Sequence, residues 1–202
     1  MNNQSLVPDQ HIWEPWSPAE LFRRLSNVSQ PWCVVGGWAL DLWHGNKTRE
    51  HEDLEFTVLR EDLGIFRREL NDMEFYTVND GVLERLAADR EPATEIFQIW
   101  CFDRAALRWR VDMMIEPGTD DSWVYKRNPQ ITRPRIEMVA LNTDGIPYLN
   151  PAAVLLFKAK HRRPKDEEDF AHAAPKLPAS ERRWLRDCLE HLHPEHEWAK
   201  AL

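Results

Sequence analysis

VGGWALDLWHGNKTREHEDLE, residues 35–55, is the stretch on which the reading of this chain turns. A glycine pair, Gly36-Gly37, follows the apolar run Trp32-Cys33-Val34-Val35. Such a run predicts a short buried strand. Glycine after it permits a positive φ and a close approach of neighbouring backbone. Trp38 to Trp43 is predicted as a helix leading away from the turn, its free first amides able to meet a phosphate. Residues 45–51 read as a polar loop carrying Lys47, Thr48 and Arg49, a cationic loop placed to touch a triphosphate. Asp53 and Glu55 then stand two apart in the otherwise apolar Leu54, Phe56, Val58. On a strand they share a face. With Glu52 they crowd negative charge into one short segment, and a bound cation would relieve the repulsion. Oxygen-only ligands of this kind suit Mg²⁺, which takes one or two carboxylates and shares the phosphates of a substrate.

Outward from this segment, Ser17-Pro18 predicts a capped helix start with Glu20 behind it, and Leu21, Phe22, Leu25 and Val28 form its apolar stripe. Leu54 to Leu59 is predicted as a strand and Arg60 to Leu70 as an amphipathic helix. Glu74 to Val78, Glu95 to Phe102 and Trp109 to Ile115 are rich in aromatic and β-branched residues and predict strands. Asn79-Asp80-Gly81 is a turn, and polar residues 84–93 read as a loop or ragged helix. Residues 116–121 read as a loop, Ile136 to Leu141 as a strand and Asn142 to Gly145 as a turn. From Asn150 the character changes. Asn150 caps and Pro151 opens a helix to His161, Pro164 opens another to about Ala173, and a last helix follows Pro178.

The words GGWALD, GNKTREHED and LLFKAKHRRPKDEEDF resemble the nucleotidyltransferase superfamily, the polymerase-β-like group, in its small aminoglycoside and lincosamide adenylyltransferase branch. The resemblance covers roughly residues 30–175. It implies an α/β (α+β) nucleotidyltransferase fold: a mixed β-sheet flanked by helices in a catalytic domain, residues 1–148, and a C-terminal helical subdomain, residues 149–202. That family carries a glycine turn, two acids spaced by one apolar residue, and a third acid on a later strand. Here these are Gly36-Gly37, Asp53 with Glu55, and Asp112 in the apolar run Trp109 to Ile115. The second acid is usually aspartate in these enzymes; Glu55 is one methylene longer. The resemblance implies a metal site of Asp53, Glu55 and Asp112, with Asp112 also a general base toward an acceptor hydroxyl. A plainer reading pairs Asp112 with Arg108 or Arg110, and Asp103 competes for its role. Gly36, Gly37, Arg49 and Lys158 are the expected nucleotide contacts. Lys165-Asp166 is read as a brace between helices, and Asp169 as an ion-pair partner for Lys165 or Arg162.

Composition narrows the rest. At 202 residues with 43% hydrophobic and 30% charged residues, one well-buried domain, alone or with a small helical addition, is expected rather than a disordered chain. No apolar run is long enough to span a bilayer, and MNNQSLVPDQ lacks the basic start and apolar stretch of a secretory signal. The odd, widely spaced Cys33, Cys101 and Cys188 fit buried thiols in a reducing cytoplasm. A net charge of −8 weighs against nucleic acid as a partner and suits a cationic small substrate. Glu116, Asp120 and Asp121 are the acids expected to receive it. Of ten tryptophans most are expected to pack, with Trp38 or Trp43 as a pocket wall. The terminal His191, His193 and His196 fit no zinc spacing and are read as a solvated tail. The expected function is transfer of a nucleoside monophosphate, most simply AMP from Mg-ATP, to a hydroxyl of a small, cationic, aminoglycoside-like acceptor. The alternatives are a toxin-like transferase acting on tRNA or protein, and a member that binds nucleotide or a partner protein without turnover.

Overall fold

The computed structural model describes residues 7–202; residues 1–6 of the stretch read above for a secretory signal lie outside them. Helix α1 (Pro18–Arg24) starts as its sequence predicts, with the Ser17 hydroxyl accepting from the Glu20 amide. Strand β1 (Trp32–Val34) then runs into α2 (Gly36–His44). The helix begins two residues before the predicted Trp38, at the glycine pair itself. Gly36 has a φ of 66°, the left-handed region that only glycine enters at little cost. Strand β2 (Glu55–Leu59) returns antiparallel to β1. A 3₁₀ turn over Arg60–Asp62 leads into α3 (Leu63–Glu69), where one continuous helix was expected.

Next come β3 (Met73–Asn79), β4 (Val82–Leu86), β5 (Gln98–Asp103) and β6 (Arg108–Glu116). β4 replaces the first part of the expected loop or ragged helix over residues 84–93. The Asn79-Asp80-Gly81 turn puts Asp80 and Gly81 at φ of 48° and 78°. This backbone twist suits a tight hairpin, so the chain pairs straight back along β3. A small hairpin, β7 (Ser122–Val124) with β8 (Thr132–Pro134), follows. The expected strand over Ile136 to Leu141 divides into one helical turn, α4 (Arg135–Met138), and β9 (Val139–Leu141). Arg135 is held by a buried ion pair to Glu116 at 2.6 Å, which keeps this turn against the sheet. Strand β10 (Pro147–Leu149) closes an eight-stranded mixed sheet in the order β4-β3-β5-β6-β2-β1-β10-β9. Its parallel pairs are β2 with β6 and β1 with β10.

Helix α5 (Pro151–Ala159), capped by Asn150 as its sequence predicts, lies in the core, with every side chain from Pro151 to Leu156 buried. It packs on α2, on α6 (Pro164–Ala173) and on α7 (Ala179–Leu192). The chain ends in α8 (Glu197–Ala201), not a solvated tail. Trp198 is buried and stacks on Phe170 at 4.2 Å, and the ring of His196 accepts from the Trp198 amide. One hydrophobic cluster contains Val34, Phe56 and Met113 of the sheet together with Leu155, Leu185 and Trp198 of the closing helices. The expected boundary at residues 148/149 falls inside β10. Cys33, Cys101 and Cys188 are buried free thiols. Burial pushes Cys33 up to about 12 and Cys188 up to about 11.

Candidate active site

The parallel pairing of β2 with β6 sets Glu55 directly beside Asp112. Two acids separated by 57 positions in the chain thereby become neighbours, and the Asp112 amide donates to the Leu54 carbonyl at 2.8 Å. Asp53 stands two residues before Glu55 on the exposed entry to β2, and all three acids line one cleft. Asp112 pairs with neither Arg108 nor Arg110. Arg110 instead binds Asp103 and Glu14, and Asp103 also caps the turn after β5 by accepting from the Ala105 and Ala106 amides. Asp103 is therefore a turn residue.

Asp112 is buried. Its Oδ2 accepts from Gln98 Nε2 at 2.5 Å and Trp100 Nε1 at 3.2 Å, while Oδ1 has no hydrogen-bond partner among the described residues. An orphaned buried carboxylate oxygen is costly. Burial first, then the negative charge of Glu55, pushes the Asp112 carboxyl well above its ordinary range. Glu55 keeps an exposed edge on the cleft but is pushed up to about 7, by burial and then by the charge of Asp53. Among the described residues no group of three or more His, Cys, Asp or Glu side chains is already gathered around one point as a metal site. The orphan oxygen and the mutual repulsion of Glu55 and Asp112 are nonetheless what a cation would satisfy, so the donor set fits a hard divalent ion.

Glu55 also explains the glycine turn. A Cβ on Gly36 would collide with Glu55 Oε2, so the longer acid occupies the space that a side chain there would take. A Cβ on Gly37 would meet the Arg49 guanidinium and the His51 ring. His51 itself is fixed: its Nε2 bonds Asp41 Oδ2 at 2.6 Å, and its ring stacks on Trp38 at 4.3 Å. Asp41 also accepts from the Thr48 amide and hydroxyl, so the loop of residues 45–51 is tied to α2. Burial lowers the His51 pKa despite the Asp41 bond, which favours the neutral ring. Trp38 forms a wall of this slot; Trp43 leans on His44.

The expected nucleotide contacts Arg49 and Lys158 face the same slot but are not free charges. Arg49 grips Asp169 through two bonds of 3.0 Å. Lys158, buried on α5, binds Asp169 at 2.9 Å and Asp166 at 3.1 Å. Asp166 also takes Arg163 and, through Lys158, ties α6 to α5, so the Asp166 half of the expected brace is present; Lys165 instead reaches across to Glu52 at 3.0 Å. Asp169 pairs with Arg49 and Lys158 rather than Lys165 or Arg162, and Arg162 binds Glu167 and Glu197. Burial would raise Asp166, but the bond from Arg163 and the Lys158 charge outweigh it and hold the carboxyl down at about 2. Arg49, Lys158, Arg163 and Lys165 line this slot together with Glu52, Asp53 and Glu55, and Asp166 and Asp169 hold the first three of those cations in place.

Three hollows meet at Glu55. One is largely apolar, between Val35, Met114, Leu149 and Phe157, with Lys126 and Arg127 at its mouth. The second is the cationic slot at Gly37, Arg49, Lys158 and Arg163. The third is the acidic cleft, where Asp53 and Asp112 face Gln98, Trp100 and Trp13. The acids expected to receive a cationic substrate are not in the acidic cleft, although Glu116 lines the apolar hollow. Glu116 is consumed by Arg135, four residues and about 13 Å along β6 from Asp112. Asp120 and Asp121 lie on an exposed loop beyond it and line none of these three hollows. Gln98 and Trp100 carried no sequence signal, because only the β5–β6 register brings them to Asp112.

The sequence model of the aminoglycoside-2''-adenylyltransferase family matches residues 19–171, a span that includes the glycine turn, all three acids and the cationic helices. The chain belongs to this family. Among solved structures the fold is similar to ANT(2'')-Ia in complex with adenylyl-2''-tobramycin, at 14% identity and a TM-score of 0.59, covering 86% of this chain and 94% of that one. It is also similar to the lincosamide adenylyltransferase LnuA in its lincomycin-bound form, at 17% identity and a TM-score of 0.52, covering 76% and 91%. At these identities the likeness concerns the nucleotidyltransferase fold. Comparison with curated protein sequences finds no match. The match begins at residue 19, and no helix among the described residues is long and apolar enough to cross a membrane.

Proposed function

We propose that this chain transfers AMP from ATP to a hydroxyl of a small cationic acceptor of the aminoglycoside kind. The observation that carries the reading is the division of the site around Glu55 and Asp112: a slot carrying Arg49, Lys158 and Arg163 and an apolar hollow on one side, an acidic cleft on the other. The apolar hollow suits a nucleoside, and the slot with the first amides of α2 suits its phosphates. The acidic cleft suits a polyamine-like sugar. Adenylyltransferase membership supports the same donor and acceptor classes.

The reaction is an in-line displacement. The acceptor oxygen forms a bond to the α-phosphorus, the bond from that phosphorus to the bridging oxygen breaks, and pyrophosphate leaves with the electron pair. Asp112 takes the hydroxyl proton on its free Oδ1, while Gln98 and Trp100 hold its other oxygen in place. Its raised pKa makes it a competent proton acceptor once ionised. Lys158 and Arg163, held by Asp166 and Asp169, present positive charge to the departing phosphates without having to reorganise. Asp53, Glu55 and Asp112 would hold Mg²⁺, which when bound supplies charge neutralisation to the phosphoryl oxygens.

A pyrophosphate-release screen over aminoglycosides and lincosamides, with Asp53→Ala in parallel, tests this. The expected result is release with at least one aminoglycoside and a large loss in the variant. Equal rates for the two proteins would remove Asp53 from the site.

A further inference from the structure

The segment before α1 lies outside the family match, yet it is built into the sheet. β2 covers β6 only from Asp112 onward. The preceding part of β6 carries a strap, residues 9–16, in the same position: Trp109 donates to the Ile12 carbonyl, and Glu14 and Trp16 donate to the Trp109 and Arg110 carbonyls, each at 3.0 Å. Trp109 Nε1 donates to the Asp9 carbonyl at 2.7 Å, Arg110 binds the Glu14 carbonyl at 2.9 Å, and Gln10 donates to Gly81 in the β3–β4 turn. Trp16 is buried as the anchor. The strap thus meets the start of β2 end to end, and the acidic cleft opens at the junction, bounded by Trp13 on one side and Asp53 on the other.

Trp13 is only half-buried, and its ring is braced edge-on by Trp100 at 5.0 Å and 78°. Trp100 is the residue whose indole N–H holds Asp112. Aromatic wall and proton acceptor are therefore one assembly. We propose that Trp13, supplied by the N-terminal strap, is the specificity-determining wall of the acceptor cleft, packing on the apolar face of a cationic sugar ring whose ammonium groups meet Asp53 at the opposite rim. This rests on the proposed function and adds the part of the molecule that selects the acceptor. The C–H face of a saturated ring packs on an indole, and a nearby ammonium is attracted to the indole face and to the carboxylates at once. Aliphatic alcohols without a ring or charge would find neither contact.

The test is steady-state adenylyl transfer to an aminoglycoside by wild type, Trp13→Ala and Trp13→Phe, with separate KM values for acceptor and ATP. Loss of a contact of this kind predicts an acceptor KM raised about tenfold in Trp13→Ala, an ATP KM within about twofold, and substantial rescue by Trp13→Phe. A merely structural role would raise both KM values or lower kcat without rescue, and would overturn the proposal. Because Trp13→Ala also opens a small aromatic cluster, a second measurement uses Trp13→Phe: the tryptophan fluorescence change on adding acceptor shrinks relative to wild type if Trp13 is in the wall. An unchanged acceptor KM in Trp13→Ala, or an unchanged fluorescence response in Trp13→Phe, overturns the wall assignment while wild-type transfer leaves the reaction intact. No transfer by wild type to any acceptor overturns the reaction itself and the wall with it.

Discussion

The two sides of the Glu55–Asp112 pair handle buried charge in opposite ways. On the helical side every buried charge is answered: Lys158 by Asp166 and Asp169, and Arg49 by Asp169. On the cleft side Asp112 is buried with one oxygen unanswered, and Glu55 is held high by its neighbours. A fully paired network is rigid and needs nothing further. An incompletely paired one is a strained site that a cation or a substrate proton can relax. Under the proposed function the contrast separates residues that hold the site's shape from residues that take part in chemistry.

The largest expected effect on activity is at the unanswered side. Asp112→Asn keeps an acceptor for Gln98 and Trp100 and removes the proton acceptor. It should lower kcat by about 10²–10⁴-fold while ATP binding, followed by calorimetry, stays intact. It should not lower the melting temperature at pH 8, since it removes a buried charge. On the answered side the order reverses. Lys158→Met removes the cation shared by Asp166 and Asp169, which keep Arg163 and Arg49, and should cost about 1–3 kcal/mol of stability by denaturant titration. A Lys158→Met protein as stable as wild type would erase the contrast.

The pH dependence sharpens it. Glu55 is raised from 4.5 to about 7 in the fold, so between those values the folded state binds more protons than the unfolded. Its contribution is fully present below about pH 4.5 and lost as pH rises through about 7. Asp112 acts in the same direction. Metal-free protein should therefore lose stability from these groups across that window, and Mg²⁺ should restore more of it at pH 8 than at pH 5; a thermal melt at each pH checks this. The smallest effect is expected at the loop acids. Asp120→Asn with Asp121→Asn should change acceptor KM by less than about twofold, because exposed charges remote from the cleft are screened.

Asp53 and Glu55 were legible in the sequence because their signal is local: two acids at strand spacing behind a glycine turn. Asp112 was legible as a lone acid in an apolar strand, and the resemblance gave it a role. Its partners were not, since Gln98 and Trp100 meet it only through the antiparallel register of β5 with β6. The same limit hid the strap, whose hydrogen bonds reach from residues 12–16 to Trp109 and Arg110. Strand β4 was masked by charged Glu84 and Arg85, which face outward on an exposed edge, although its turn was plain. Glu116 looked like an available loop acid because Arg135, its buried partner, lies 19 residues on. Ion pairs between distant helices were assigned to the wrong neighbours for the same reason: helical spacing proposes partners within an element, and tertiary packing chose Arg49 and Lys158 for Asp169.

Under the proposed function, the register-paired Glu55 and Asp112 carry adenylyl transfer to a cationic acceptor. The most direct measurement is a mass spectrum of an aminoglycoside after incubation with Mg-ATP and either wild type or Asp112→Asn. The expected spectrum shows acceptor heavier by one adenylyl group with wild type and almost none with the variant at equal ATP occupancy. Equal yields from the two proteins would contradict it.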